Sequence, residues 1–525
     1  MTIQDICKIG KVEMSDENID IISKYSTYII DWLKSDEFKE YANKEYPPLI
    51  NPKKMDYEGS DPAHAWLLNI PLPNYYDFVA FGSHAVGLHG AIIGFLALCG
   101  VTRKVMTLRN RAIAEGEHSF DSKGNYERMY SEIIRLNELK KSGFVKHFYL
   151  QLSDFVLDKD TKKFYSLIDA SNALHIVRDP ISVLKSTAAV PHRAEKMKVE
   201  DSDELLDFGV CTGQNPYEVF SNYIFYLNEG RTINKKEQGV GVGKSMDFMP
   251  NIQSVEGWIL DYEQTFHDGI IFNLLKHSLK NIKLKQTTDF VGQKCFDTMK
   301  ELARHFGFDE PKEEDRWLFE LRVSDLKHLT PMIVYAHSDK PLYNEQSWTI
   351  NKKLIDESVK LILTTRFDGV RYIMPQLDIS ENFELASPIF SVLVENTDGA
   401  LKLLREPKLL QKCKIYIKEL SIALLKQADI ENTKKFKESD VLEYFAKNKK
   451  MRQIMSYIME QHLLLLKTYK PEIIQNYKYY QEFLKLCKDD EPLDLNDGLN
   501  GMKFSVNNFW VFTLRCFWLL WLSLC

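Results

Sequence analysis

Apolar and polar positions follow two different periods along this chain, and the change from one to the other divides it. Residues 1 to about 45 space their apolar side chains among acids and lysines at roughly helical intervals, until Tyr46-Pro47-Pro48 and Asn51-Pro52 end the pattern by fixing φ and removing backbone donors. This predicts a helical lead-in over residues 1–70. Pro71, Pro73 and Asn74 then turn the chain into Tyr75-Tyr76-Asp77-Phe78-Val79-Ala80-Phe81, a short aromatic and β-branched run that reads as a buried strand. Gly82-Ser83-His84-Ala85-Val86-Gly87-Leu88-His89-Gly90 follows, and then AIIGFLALCG, an apolar helix ending at Gly100. The predicted order is strand, glycine-rich loop, helix.

Further strands are predicted at 104–108, 144–152, 173–177 and 282–287, with helical stretches between them. Strands alternating with helices imply an α/β fold over residues 71–310, with a mostly parallel sheet covered by helices on both faces. Beyond about residue 310 long lysine-rich amphipathic stretches dominate, such as LKLLREPKLLQKCKIYIKELSIALLKQ, and predict a mainly helical accessory domain over 311–505. The last stretch, 506–525, breaks from this composition: VNNFWVFTLRCFWLLWLSLC holds a single charge, Arg515. Three readings stand open for it: a buried terminal helix, a weak interfacial membrane anchor, or the product of a frameshift.

Composition narrows the functional classes. With 525 residues and 61.2 kDa the chain can hold two or three cores. Its 68 basic and 74 acidic side chains leave a formal charge of -6, so no global positive field exists to hold nucleic acid, and any anion must be captured locally. The eight cysteines form no C-x-x-C pair and no metal-ligand spacing, which reads as reduced thiols. The first 30 residues lack an apolar core with a small-residue cleavage site, so the expected location is cytoplasmic, with peripheral contact to the inner membrane if the tail anchors. No metal and no tightly bound cofactor is expected.

Two segments carry chemistry. A loop from a buried strand into a helix can present backbone N–H groups where the helix dipole favours an anion, and Gly82, Gly87 and Gly90 let that backbone approach a phosphate closely. No lysine or arginine lies in this loop; Ser83 offers a hydroxyl, and His84 and His89 are its only ionisable side chains. The second segment runs from Leu174 to Ser186, where an apolar strand ends at Arg178 and Pro180 opens a helix. A guanidinium gripping a phosphate, with the Ser186 hydroxyl as a further donor, suits a terminal phosphate monoester. The alternative is that Arg178 simply pairs with Asp179 or a helix carboxylate.

Arg178-Asp179-Pro180, with Ser186 eight residues after the arginine, resembles the 3′-phosphate-binding motif of sulfotransferases. The strand, loop and helix around 75–100 are similar to that family's 5′-phosphosulfate loop, and KLKQTTDFVGQKCFDTMKELARHFGF is similar to its late strand and following helix. This resemblance implies a P-loop-like sheet and a 3′-phosphonucleotide donor as co-substrate. It departs at Ser83-His84-Ala85, where the family offers a basic residue to the transferring group. Tyr46-Pro47-Pro48-Leu49-Ile50-Asn51-Pro52 and Leu72-Pro73-Asn74-Tyr75-Tyr76 also resemble poorly characterised bacterial capsule-locus sugar transferases. That second resemblance implies modification of a capsular glycan acceptor, in some members with O-methyl phosphoramidate.

For either group the chemistry is an in-line displacement, in which a sugar hydroxyl attacks sulfur or phosphorus and a nucleotide phosphate leaves. A general base is needed. His118, Glu117 and His147 are the candidates: His118 and Glu117 because they follow the second strand, His147 because it lies on the strand before Arg178. A nucleotide-sugar glycosyltransferase and a noncatalytic glycan-assembly scaffold remain as alternatives. Gly239-Val240-Gly241-Val242-Gly243-Lys244-Ser245 imitates a Walker loop, but Gln238 stands where its first glycine belongs and no buried strand precedes it.

Overall fold

The computed structural model describes residues 1–88, 90–108, 121–152, 158–188, 210–213, 215–217, 223–226, 231–234, 252–260, 265–321, 326–336, 357–367, 377–433 and 435–493. The imitation Walker loop, His89, Glu117, His118 and the apolar tail lie outside them.

Helices α1 (Ile3–Gly10), α2 (Asp16–Leu33) and α3 (Pro62–Leu67) form the lead-in. Strand β1 (Val79–Phe81) leads through the glycine-rich loop into α4 (Ala91–Leu98) and β2 (Val101–Met106). There follow α5 (Ser122–Lys141), β3 (His147–Leu152), α6 (Thr161–Ser166), β4 (Asn172–Val177) and α7 (Pro180–Ala188). Three further strands are β5 (Val210–Cys211), β6 (Tyr223–Tyr226) and β7 (Arg231–Asn234), of which β6 and β7 pair as an antiparallel ribbon. Then come α8 (Ser254–Leu260), α9 (Asp268–Leu275), β8 (Asn281–Gln286) and α10 (Lys294–Phe306).

Strands β1, β2, β3, β4 and β8 form one parallel sheet in the order β2-β3-β1-β4-β8. Its central strands are apolar on both faces, as a strand between two helical layers must be. Phe78, Ala80, Tyr149, Leu174 and Ile176 enter the core beneath α4 and α10. Val79, Phe81, Phe148, Leu150 and Ala173 point the other way, into the core shared with α1, α2, α3 and α5. The chain passes from β1 to β2 at one edge, returns to β3 beside β1, then crosses to β4 on the other side. The strand order therefore reverses at β1, the kind of switch point that opens a crevice beyond the carboxyl ends of the strands.

Beyond residue 310 a second sheet, not predicted, precedes the helical C-terminal region that was. Strands β9 (Met332–Ala336), β10 (Val359–Thr365), β11 (Leu377–Asp378) and β12 (Phe390–Val394) join β5 in a second sheet, ordered β11-β12-β10-β9-β5, in which only the β5–β9 pair is parallel. The cause is burial: Val334, Leu361, Leu363, Phe390 and Val392 pack into the same core as Phe78 and Phe296, so tertiary contact and the β-branched content of these segments win. Described residues on both sides of 310 share that core. Helices resume with α11 (Thr397–Arg405), α12 (Pro407–Thr433), α13 (Glu438–Lys447), α14 (Lys449–His462), α15 (Leu464–Tyr469), α16 (Pro471–Gln475) and α17 (Lys478–Leu486). A third core joins α7 and α8 to α13, α14 and α17 through Ile181, Leu184, Ile259, Phe445, Met455 and Phe483.

Candidate functional site

The loop after β1 is held so close to β4 that only glycine fits at its start. A Cβ on Gly82 would stand 2.5 Å from the Ile176 carbonyl oxygen and 2.8 Å from Val86 Cγ2. Gly87 (φ 101°) takes a left-handed conformation at no steric cost, whereas Ala85 (φ 61°) takes one that opposes its side chain by about 1 kcal/mol or more. Two side chains offset that strain. Arg178 Nη1 donates to the Ala85 carbonyl at 2.6 Å, and Thr287 Oγ1 donates to the Val86 carbonyl at 2.9 Å. The loop then closes on itself, Gly90 N–H to Gly87 carbonyl at 2.8 Å, and enters α4 with no side-chain cap.

Arg178 thus reaches the glycine-rich loop from the carboxyl end of the adjacent strand, and the two predicted segments meet at one edge of the sheet. Burial pulls its guanidinium below the ordinary value, while the nearby carboxylates of Glu438 and Asp179 pull it up. Asp179 does not pair with it. Its carboxylate accepts the Ile181 N–H at 2.9 Å at the start of α7, and the Tyr479 and Tyr480 N–H groups at 3.0 and 3.2 Å at the start of α17. One side chain therefore caps two helices. Ser186 lies half-buried on α7, on the face that also carries Ser182 one turn earlier and Lys185 beside it. Glu438, the first residue of α13, accepts from Ser182 Oγ at 3.0 Å and stands 3.3 Å from Lys185 Nζ.

Ser83, predicted as a hydroxyl donor to a ligand, here faces a buried carboxylate. Its Oγ donates to Asp268 Oδ1 at 2.6 Å, and Asp268 Oδ2 lies 3.3 Å from His175 Nε2. All three side chains are buried, and His175 stacks on Phe81. Burial by itself would raise the Asp268 carboxyl, but the His175 bond and the neighbouring imidazoles of His462, His175 and His267 outweigh it and hold the group at about 2. His462 is pushed down to about 4, first by burial and then by His267 and His175, against the Asp268 carboxylate. Sequence reasoning missed this cluster because its members stand at 83, 175, 267, 268 and 462. The local signal was His267-Asp268 opening an apolar helical run.

His84 is half-buried and stacks on Trp258 of α8, ring centroids 5.1 Å apart. His147 is a correction. It opens β3, so in a parallel sheet it lies at the amino edge, opposite the loop, with Nδ1 3.3 Å from Asp77 Oδ2. A base there cannot reach a group held beyond the carboxyl ends. Among the described residues no group of histidine, cysteine and acidic side chains is arranged to hold a metal ion, and no helix is long and apolar enough to cross a membrane.

Fold and site together define an α/β protein whose parallel sheet reverses its strand order beneath a glycine-rich loop, with an arginine from the neighbouring strand fastened to that loop. Within it, residues 284–489 match the model of a family described as a protein of unknown function, DUF2972. No curated protein and no solved structure matches the chain.

Proposed function

We propose that this chain is a sulfotransferase-like transferase, moving a sulfuryl- or phosphoryl-type group, sulfate or O-methyl phosphoramidate, from a 3′-phosphorylated nucleotide to a sugar hydroxyl of a bacterial capsular or surface polysaccharide. One observation carries the reading: Arg178 of the Arg-Asp-Pro segment donates to Ala85 of the glycine-rich loop, so both chemistry-bearing segments share the crevice at the switch point. In this reading the acceptor oxygen forms a bond to sulfur or phosphorus as the bond to the nucleotide phosphate breaks, and the hydroxyl proton passes to a base. Backbone N–H groups at the start of α4, with His84 when protonated, offset the charge that spreads over the transferring group. His118 and Glu117 remain the candidate bases.

Thermal-shift titration with adenosine 3′,5′-bisphosphate, its cytidine counterpart and nucleotide sugars tests the assignment, since a ligand that binds only the folded state raises its melting temperature. A rise with either bisphosphate, lost in Arg178→Lys, is expected. A rise with nucleotide sugars alone would indicate a glycosyltransferase, and no rise with any of them a noncatalytic scaffold.

A further inference from the structure

The face of α7 that carries Ser186, predicted to border the phosphate pocket, is covered at Ser182 and Lys185 by a carboxylate of the chain itself. Ser182, Lys185 and Ser186 form one half-exposed stripe on that helix, while Ile181, Val183, Leu184 and Thr187 face inward. Onto the stripe comes the Glu438 carboxylate, bonded to Ser182 Oγ and Lys185 Nζ and close enough to Arg178 to act on its charge. Burial would raise the Glu438 carboxyl, yet its own backbone N–H, Lys185 and Ser182 together lower it, so it sits there as an anion.

Charge counting gives the consequence. Among the described residues the seat has two cations, Arg178 and Lys185, and two carboxylates, Asp179 and Glu438. Asp179 is engaged by backbone donors of two helices and stays. With Glu438 in place the seat is neutral and the Ser182 hydroxyl and Lys185 ammonium face its carboxylate; with Glu438 turned out the seat carries one net positive charge and those two groups are released. Turning it out need not move α13, because Val441, Tyr444 and Phe445 anchor that helix in the third core, and the Glu438 side chain is 19% exposed and has a way to solvent.

We infer that Glu438 is an internal stand-in for a bound anion: its carboxylate fills the seat made by Ser182 and Lys185 beside Arg178, and a phosphate or sulfate monoester binds by displacing it. The inference rests on the reading of this edge as a phosphonucleotide site. It adds that the site is self-occupied when empty of ligand, so affinity is set by competition with a side chain of the same molecule.

The test compares wild type, Glu438→Gln, Lys185→Gln and the double variant by isothermal titration with inorganic phosphate, inorganic sulfate and adenosine 3′,5′-bisphosphate, with folding checked by circular dichroism. Removing the competing charge should tighten binding of all three anions by roughly tenfold or more. Lys185→Gln should abolish that gain in the double variant. Equal or weaker binding in Glu438→Gln would overturn the inference and make Glu438 a strut between α7 and α13. The nucleotide reading fails separately, if Glu438→Gln gains affinity for phosphate and sulfate while the bisphosphate binds no better than inorganic phosphate.

Discussion

His462 lies at the end of α14, with its ring against Phe266 and the Asp268, His267 and His175 side chains around it, so charging it places a proton in a nearly solvent-free cluster. Its folded value of about 4 lies below its ordinary 6.5, so the unfolded chain takes up the proton first. Stability then falls as pH drops through the interval between these values and levels off below it. At about 1.4 kcal/mol per pH unit, the loss from this group is about 2 kcal/mol by pH 5 and about 3 kcal/mol by pH 4. Asp268 acts in a separate window: its carboxyl is held at about 2 against an ordinary 3.8, so its contribution is intact above 3.8 and fades below it. His277 is also lowered by burial, but it is present in both proteins of the comparison. Urea unfolding free energies at pH 7 and pH 5, followed by tryptophan fluorescence, should show wild type losing about 2 kcal/mol more than His462→Gln. The comparison concerns the pH slope, so a constant cost of the substitution does not matter. Parallel losses in the two proteins would refute the claim that His462 is buried neutral against this cluster.

Other substitutions probe the frame of the site. Asp179→Ala removes the side-chain acceptors at the starts of both α7 and α17, and at about 1 kcal/mol per cap should cost about 2 to 3 kcal/mol by thermal or urea unfolding, a larger loss than Asp179→Asn gives. Gly82→Ala forces a methyl against the Ile176 carbonyl, so it should cost about 3 kcal/mol or more or prevent folding, as read by soluble yield and melting temperature. Thr287→Val, which removes the donor to the Val86 carbonyl but keeps the shape, should cost about 1 to 2 kcal/mol and weaken bisphosphate binding, whereas Thr287→Ser should retain both.

What the chain revealed in advance follows from the range of the forces involved. The central strands of the parallel sheet were legible as apolar runs with glycine or proline nearby, and the edge strand β8 by its alternation of apolar and polar residues; expected at 173–177 and 282–287, β4 and β8 fall at Asn172–Val177 and Asn281–Gln286. The first strand is shorter than expected, since Tyr75 to Phe78 stay outside it and Asp77 turns to Lys140 and His147. The second sheet was not legible although MIVYA, VKLILTT and FSVLV carry the β-branched and apolar content of strands, because apolar runs this short suit a buried helix as well as a strand until tertiary packing decides. Arg178 stood out through local spacing with Pro180 and Ser186. Nothing local could show that its carbonyl partner is Ala85, that Ser83 faces Asp268, or that Glu438 reaches Lys185, because those pairs are separated by 93, 185 and 253 positions in the numbering and only tertiary packing joins them.

The family match begins at Leu284, inside β8, the strand that pairs along its length with β4. The matched stretch is therefore not an independent module in this molecule. It contains Thr287, which fastens the loop carbonyl of Val86; Glu438, which sits on α7; His462, which fronts Asp268; and Tyr479 and Tyr480, whose N–H groups hold Asp179. Each of these acts on a residue outside the match, in the β1 loop, the Arg178 segment or the start of α9. The glycine-rich loop and the Arg-Asp-Pro segment bring the backbone and guanidinium donors, while the matched stretch fixes their geometry and supplies the Glu438 carboxylate beside them. Substitutions at Glu438 or His462 should accordingly change anion binding or acid stability at an edge built from residues 82–90 and 175–186, through contacts that join the matched stretch to the residues before it.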